Sequence, residues 1–152
     1  MYEKSTLNLP SYPYKIRTEQ GKKLIFDILR KKYVALTPEE WVRQHFVHLL
    51  VEHKGYPAGL LANEVQICLN GVKKRCDTVL YDRSLKARMI VEYKAPSVEI
   101  TQAVFNQITR YNMVLHVDYL IVTNGISHYC CRIDYAGNSY AFLPHIPDFS
   151  EL

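Results

Sequence analysis

Asp77, at the end of Lys74-Arg75-Cys76-Asp77, is followed fifteen residues later by Glu92-Tyr93-Lys94. Both segments are rich in Val, Ile, Leu, Tyr and Cys and read as neighbouring strands. Side chains alternate along a strand, so Glu92 and Lys94 share one face and Tyr93 takes the other. Asp77 on the paired strand can then approach Glu92. Two carboxylates converging at one sheet edge repel unless a cation neutralises them, and a hard divalent ion, Mg²⁺ or Mn²⁺, is the natural occupant. Such an ion would polarise a phosphoryl oxygen and acidify its bound water. Lys94 would orient that water or stabilise charge developing on the phosphate. The chemistry is phosphodiester hydrolysis. The alternative use of the same three residues is a structural ion pair on a solvated sheet face. The Ile90-Val91 run argues for a site, because it marks a central strand, and such strands rarely end in alternating charges without one.

The elements that must position these residues can be read from pattern. Residues 1–20, with Pro10 and Pro13 among tyrosines and serines, lack a period and form an extended arm, leaving 21–152 as a single domain. Leu24–Ile28 and Tyr33–Leu36 flank a charged turn and form a hairpin. Thr37-Pro38-Glu39-Glu40 opens a helix, with Thr37 as N-cap, Pro38 at the first helical position and Glu40 completing a capping box. That helix runs to about Lys54. Glu39 lies on the inward stripe of Val42 and Phe46, so a carboxylate faces the interior there. Leu61–Leu69, Lys74–Tyr81 and Arg88–Lys94 form an antiparallel meander. A second helix follows from Ser97–Thr101 to about His116, with Val104, Ile108, Tyr111 and Leu115 on one face and the Gln107 amide on that apolar stripe in need of a partner. Tyr119–Thr123 suits a strand buried on both faces, returning parallel to the last meander strand. Two more strands, Ser127–Asp134 and Ser139–Leu143, complete an α/β sandwich with a mixed central sheet. Glu64, alternating with Val65, falls near Asp77 if the pairing is in register.

Composition bounds the rest. A chain of 152 residues, 48% hydrophobic and 22% charged, is one ordinary domain with a core large enough to fold without disulfides or a structural metal. No run is long and apolar enough for a membrane span, and Met1–Leu7 has no secretory pattern, so a cytoplasmic location is expected. Cys68, Cys76, Cys130 and Cys131 show no metal-binding spacing and read as free thiols. The six histidines show none either. A net charge of +4 permits polyanion binding without demonstrating it, and the twelve tyrosines could stack on bases or fill the sheet.

Asp77 with Glu92-Tyr93-Lys94 resembles the PD-(D/E)xK nuclease signature. More narrowly, Pro38-Glu39-Glu40-Trp41-Val42-Arg43-Gln44, Lys74–Asp77, Val91-Glu92-Tyr93-Lys94-Ala95-Pro96 and Val122-Thr123-Asn124-Gly125 together resemble the N-terminal nuclease domain of type I restriction enzyme R subunits, in its short stand-alone form. The resemblance implies a restriction-endonuclease-like α-β-β-β-α-β core and Mg²⁺-dependent cleavage of DNA. It implies a metal site of Glu39, Asp77 and Glu92 and a catalytic Lys94. Gln107 and Tyr111 would match a supporting Q-x-x-x-Y element. Cys76 and Tyr93 depart from the residues usual at their positions, and both are expected to point away from the acidic face. The chain carries neither a P-loop nor a DEAD-like box, so by itself it cannot drive ATP-dependent translocation. The partners implied are DNA and either a second copy or a separate motor or specificity protein. The alternative is a non-catalytic nucleic-acid-binding or adaptor domain that keeps the fold.

Overall fold

The computed structural model describes residues 6–69, 71–113 and 115–152. Three strands, β1 (Ile16–Glu19), β2 (Lys22–Asp27) and β3 (Lys32–Ala35), form a small antiparallel sheet. Helix α1 (Pro38–His48) follows, and then β4 (Leu61–Leu69), β5 (Val72–Tyr81) and β6 (Ala87–Tyr93) form a meander. Helix α2 (Gln102–Met113) crosses to β7 (Tyr119–Thr123), and β8 (His128–Asp134) and β9 (Ser139–Phe142) end the sheet. The large sheet is ordered β4-β5-β6-β7-β8-β9, with β6 and β7 parallel and the other neighbours antiparallel. This is the mixed α/β architecture that the pattern predicts, and it is of the restriction-endonuclease-like kind that the resemblance implies.

Each element has a local cause. Thr37 is extended and its hydroxyl accepts from the Glu40 amide at 3.0 Å, with Pro38 supplying a preset first turn. The helix continues through a π-helical turn, Leu49–His53, to Lys54. Thr101 caps α2 by accepting from Val104 N at 3.2 Å. All five residues of β7 are buried, because helices cover both faces of the parallel pair. On one face, Val42 and Phe46 of α1 and Leu50 of the π-helical turn pack on Met89, Val91, Tyr93 and Ile121. On the other, Phe105 and Leu115 pack on Ile90, Leu120 and Val122.

Pairing begins earlier than the arm boundary expected at residue 20: Ile16–Glu19, past the prolines and exposed throughout, pairs antiparallel with β2. The preceding segment is held down: Tyr12 stacks on His48, Tyr14 packs edge-on to Trp41, and Asn8 N donates to Gly125 O at 2.8 Å. Gly125 has a φ of +86°, a left-handed conformation that favours glycine, and it lies against Leu7, whose Cδ2 a Cβ there would meet at 2.8 Å. Asn70 of the β4–β5 turn lies outside the described residues. Among the described residues, no helix is long and apolar enough to cross a membrane.

The alternation assumed for β4 and β5 breaks at one point. Leu61 and Leu80 face the α1 side, whereas Val65, Ile67 and Cys76 face the α2 side. Between them Glu64 adopts a φ of +56°, and the register passes from Asn63↔Thr78 to Val65↔Cys76 with the intervening Glu64–Asp77 pair missing. A non-glycine residue in this conformation reverses the faces on either side of it. Cys76 therefore packs on the side of Ile90, not away from the acids as expected. Burial first, and then the Glu92 charge, push its thiol up to about 12.

Candidate active site

An open cleft of about 690 Å³ lies beyond the carboxyl end of β6. The hairpin β2–β3 contributes Arg30, Val34 and Ala35; α1 contributes Glu39, Glu40 and Arg43; β4 and β5 contribute Glu64, Lys74, Arg75 and Asp77. Glu92, Tyr93 and Lys94 close it from β6 and its exit. The strand order explains the juxtaposition: β5 extends past the point where its pairing with β6 begins, at Thr78↔Val91, so Asp77 stands beside the end of β6.

Glu92 is 9% exposed. Its Oε1 lies 3.2 Å from Lys74 Nζ but without hydrogen-bond geometry, so a buried carboxylate oxygen has a cation nearby and no donor aligned to it. Burial first, then the Asp77 carboxylate, push Glu92 up to about 7, against the opposing pull of Lys74. Asp77 is held by two bonds: Tyr93 N donates to its Oδ2 at 2.9 Å, and Arg43 Nη1 donates to its carbonyl oxygen at 2.7 Å. Lys94 lines the cleft, and among the described residues no carboxylate lies within ion-pair distance of it.

Behind the acids runs a charged network. Asp27 is fully buried, accepting from Leu29 N and Arg30 N at 2.8 Å each, from Arg30 Nε at 2.6 Å and from Asn63 Nδ2 at 2.9 Å. Burial alone would raise its carboxyl, but the Arg30 amide, the Asn63 amide and the Arg30 guanidinium together hold it below the ordinary range. Arg30 also donates to Glu40 at 3.2 Å, Gln44 donates to Glu40 at 2.7 Å, and Arg43 Nε sits 3.1 Å from the same carboxylate. Asn63 in turn accepts from Thr78 at 2.6 Å, whose hydroxyl meets Tyr93 Oη at 2.9 Å. Sequence reading missed Asp27, Arg30 and Arg43. The one available signal was an acid, Asp27, closing an otherwise apolar strand before a turn.

The structure brings Asp77, Glu92 and Lys94 to one cleft and also brings Glu64 there, opposite Asp77. Three expectations need correction. Glu39 is exposed at the rim, and Glu40 is the buried carboxylate, because every position from 40 to 47 is covered and the arginines of two elements draw Glu40 inward. Thr37 still caps the Glu40 amide, but the Glu40 carboxylate serves Arg30 and Gln44 instead of closing a capping box. Gln107 is exposed and does not line the cleft; the covered side of α2 carries Phe105, Thr109 and Asn112, one step round from the stripe expected. Tyr111 belongs to α2, and its side chain lies outside what is described. Among the described residues, no three Asp, Glu, His or Cys side chains converge closely enough to form a ready metal cage, so Glu39, Asp77 and Glu92 are not assembled as one. The donor set still fits a hard cation. Mg²⁺ is commonly held by one or two carboxylates with water and phosphate oxygens completing its shell, and the undirected Glu92 Oε1 beside Asp77 offers such oxygens.

A mixed sheet sandwiched by two helices, with an acid on each of two adjacent strands at one open end, defines a restriction-endonuclease-like domain. The model of the family described as "Type I restriction enzyme R protein N terminus (HSDR_N)" matches residues 38–147, and the chain belongs to that family. A solved fragment described as an HsdR subunit of a type I restriction enzyme from Vibrio vulnificus YJ016 shares the fold, with a TM-score of 0.53 and 21% identity over 77% of this chain and 24% of that one. A cryo-electron microscopy structure of a DrdV–DNA complex is similar at a TM-score of 0.46 and 20% identity, over 70% of this chain and 10% of that one. The chain thus spans a quarter or less of these proteins. No curated protein matches the sequence.

Proposed function

We propose that this domain hydrolyses phosphodiester bonds of DNA with Mg²⁺ or Mn²⁺ at Asp77 and Glu92 and with Lys94 as the catalytic cation. The observation that carries the reading is the Glu92 carboxylate, buried beside Asp77 with an oxygen that no donor directs, in a cleft whose Lys94 has no carboxylate partner among the described residues. A bound divalent ion supplies Lewis acidity toward the phosphate and a more acidic water. Asp77 and Glu92 contribute the negative oxygens that hold it. Lys94 directs its ammonium at the phosphate or the attacking water, where it stabilises charge that grows in the transition state. Glu39, exposed at the rim, has a place only as a contact through water. Gln107, exposed and outside the cleft, has no place in it, and Tyr111 would join the site only as the family resemblance implies. Two strands cut by one small site would call for a second copy or a partner subunit.

A second reading has its own observation. Lys74 lies 3.2 Å from Glu92, so the acids could be neutralised permanently in a domain that binds nucleic acid without cutting it. Plasmid cleavage with Mg²⁺, Mn²⁺ or EDTA separates the two. The nuclease reading expects nicking that needs the metal and drops by about 10²–10³ or more in Lys94→Ala, the scale of losing one transition-state donor. Equal residual cutting in wild type, Asp77→Ala and Lys94→Ala would mark a contaminant, and retention of plasmid without cutting would favour the binding module.

A further inference from the structure

We infer that Arg43 is a positioning residue for Asp77, an inference that rests on the proposed acid pair. Asp77 sits where β5 is released from both neighbours. Its ladder with β4 skips from Asn63↔Thr78 to Val65↔Cys76 around the left-handed Glu64, and its register with β6 begins only at Thr78↔Val91. Sheet pairing therefore clamps the residues beside Asp77 and not Asp77 itself. Of the two bonds that hold it, the one from Tyr93 N consumes a carboxylate oxygen. The bond from Arg43 Nη1 to the Asp77 carbonyl, 2.7 Å, fixes the peptide and leaves the acid free for a ligand.

The guanidinium is itself fixed. Arg43 is 5% exposed; its Nε lies 3.1 Å from Glu40 and its Nη2 3.5 Å from Glu64 as ion pairs, the Nε without hydrogen-bond geometry, and its Cζ stands 5.6 Å from the Tyr93 ring centroid. A planar group with donors on three nitrogens can serve a carbonyl and two carboxylates at once; a lysine ammonium cannot span them from one point. Glu40 is in turn tied to Arg30 and, through it, to Asp27 of β2. The aim of Asp77 thus depends on a small sheet that lies before the residues matched by the family model.

The test is Arg43→Lys, with Arg43→Gln as a second variant that keeps a neutral donor. Three readouts are taken: hydrogen exchange of the Tyr93 amide by NMR, Mn²⁺ affinity by calorimetry, and the Mg²⁺ concentration that half-saturates cleavage. Faster Tyr93 exchange, with Mn²⁺ affinity weakened about 10–100-fold, is the expected result, that being the usual loss when a group behind a metal ligand is removed. Cleavage at saturating Mg²⁺ should fall much less than metal affinity. If wild type neither binds Mn²⁺ nor cuts DNA, the nuclease reading fails while faster Tyr93 exchange still upholds the positioning role. Unchanged exchange and affinity in a folded Arg43→Lys would overturn it, as would failure of both variants to fold, which would make Arg43 a core ion and nothing more.

Discussion

The two helices bury polar side chains to opposite ends. On α2 the covered polar groups bond within their own helix: Thr109 Oγ1 donates to Phe105 O and Asn112 Nδ2 to Ile108 O, both at 2.8 Å and four residues apart. On α1, Gln44 and His45 also bond within the helix, but the charged residues reach outward, Arg43 to Asp77 O on β5 and Glu40 to Arg30 of the β2–β3 hairpin. Bonds that stay within the helix let the buried face of α2 pack without tying it to the cleft, although Asn112 Oδ1 has no partner among the described residues and Asn106 accepts from Tyr140 of β9. Groups satisfied across elements make α1 part of the cleft, so that the site and the fold share the same bonds. That sharing has an energetic cost, since buried ions stabilise little unless every partner is present.

The sharpest way to break the contrast is Glu40→Ala. It leaves the buried Arg43 with Glu64 at 3.5 Å as its remaining carboxylate, while Arg30 keeps Asp27, and a loss of about 3–5 kcal/mol is expected by denaturant unfolding. Glu39→Ala, one residue away and exposed, should stay within about 0.5 kcal/mol. Equal effects would show that the helix phase described here is wrong.

Glu92 gives a pH-dependent test of the same side. Its pKa is raised on folding from 4.5 to about 7, so the folded state holds the proton more tightly than the unfolded chain. The stabilisation that this proton provides is complete below about pH 4.5 and is lost as pH rises through 7. In EDTA, Glu92→Gln should therefore melt above wild type at pH 8, with the difference shrinking toward pH 5. A difference independent of pH would mean that Glu92 is not strained by its surroundings. The smallest effect belongs to α2: Thr109→Val should cost about 0.5–1 kcal/mol, because the Phe105 carbonyl keeps its place in the helix ladder, and cleavage should be unaffected.

Much of this was legible in the sequence because it is periodic or local. Pro38 after a capping threonine, the apolar run at 119–123 and the three meander strands lie where their patterns put them. What escaped depends on tertiary geometry. Choosing between Glu39 and Glu40 requires knowing that arginines from a hairpin and from the next turn of the helix converge on one of them. The face of Cys76 depends on a single left-handed residue, Glu64, which no alternation rule anticipates. Gln107 was misplaced because the apolar residues of α2 admit two stripes about one residue apart, and only the packing of Phe105 chooses between them.

The central claim is that Asp77 and Glu92 form an acidic pair that wants a cation, and thermal melting tests it most directly. Wild type and Asp77→Asn are compared in EDTA and across a Mg²⁺ or Mn²⁺ titration. The account predicts that the metal raises the wild-type melting temperature by mass action, that Asp77→Asn shows no such rise, and that in EDTA the mutant is at least as stable as wild type, because a repulsion has been removed. A mutant clearly less stable than metal-free wild type, with neither protein responding to the metal, would contradict it and leave Glu92 as the partner of Lys74 alone.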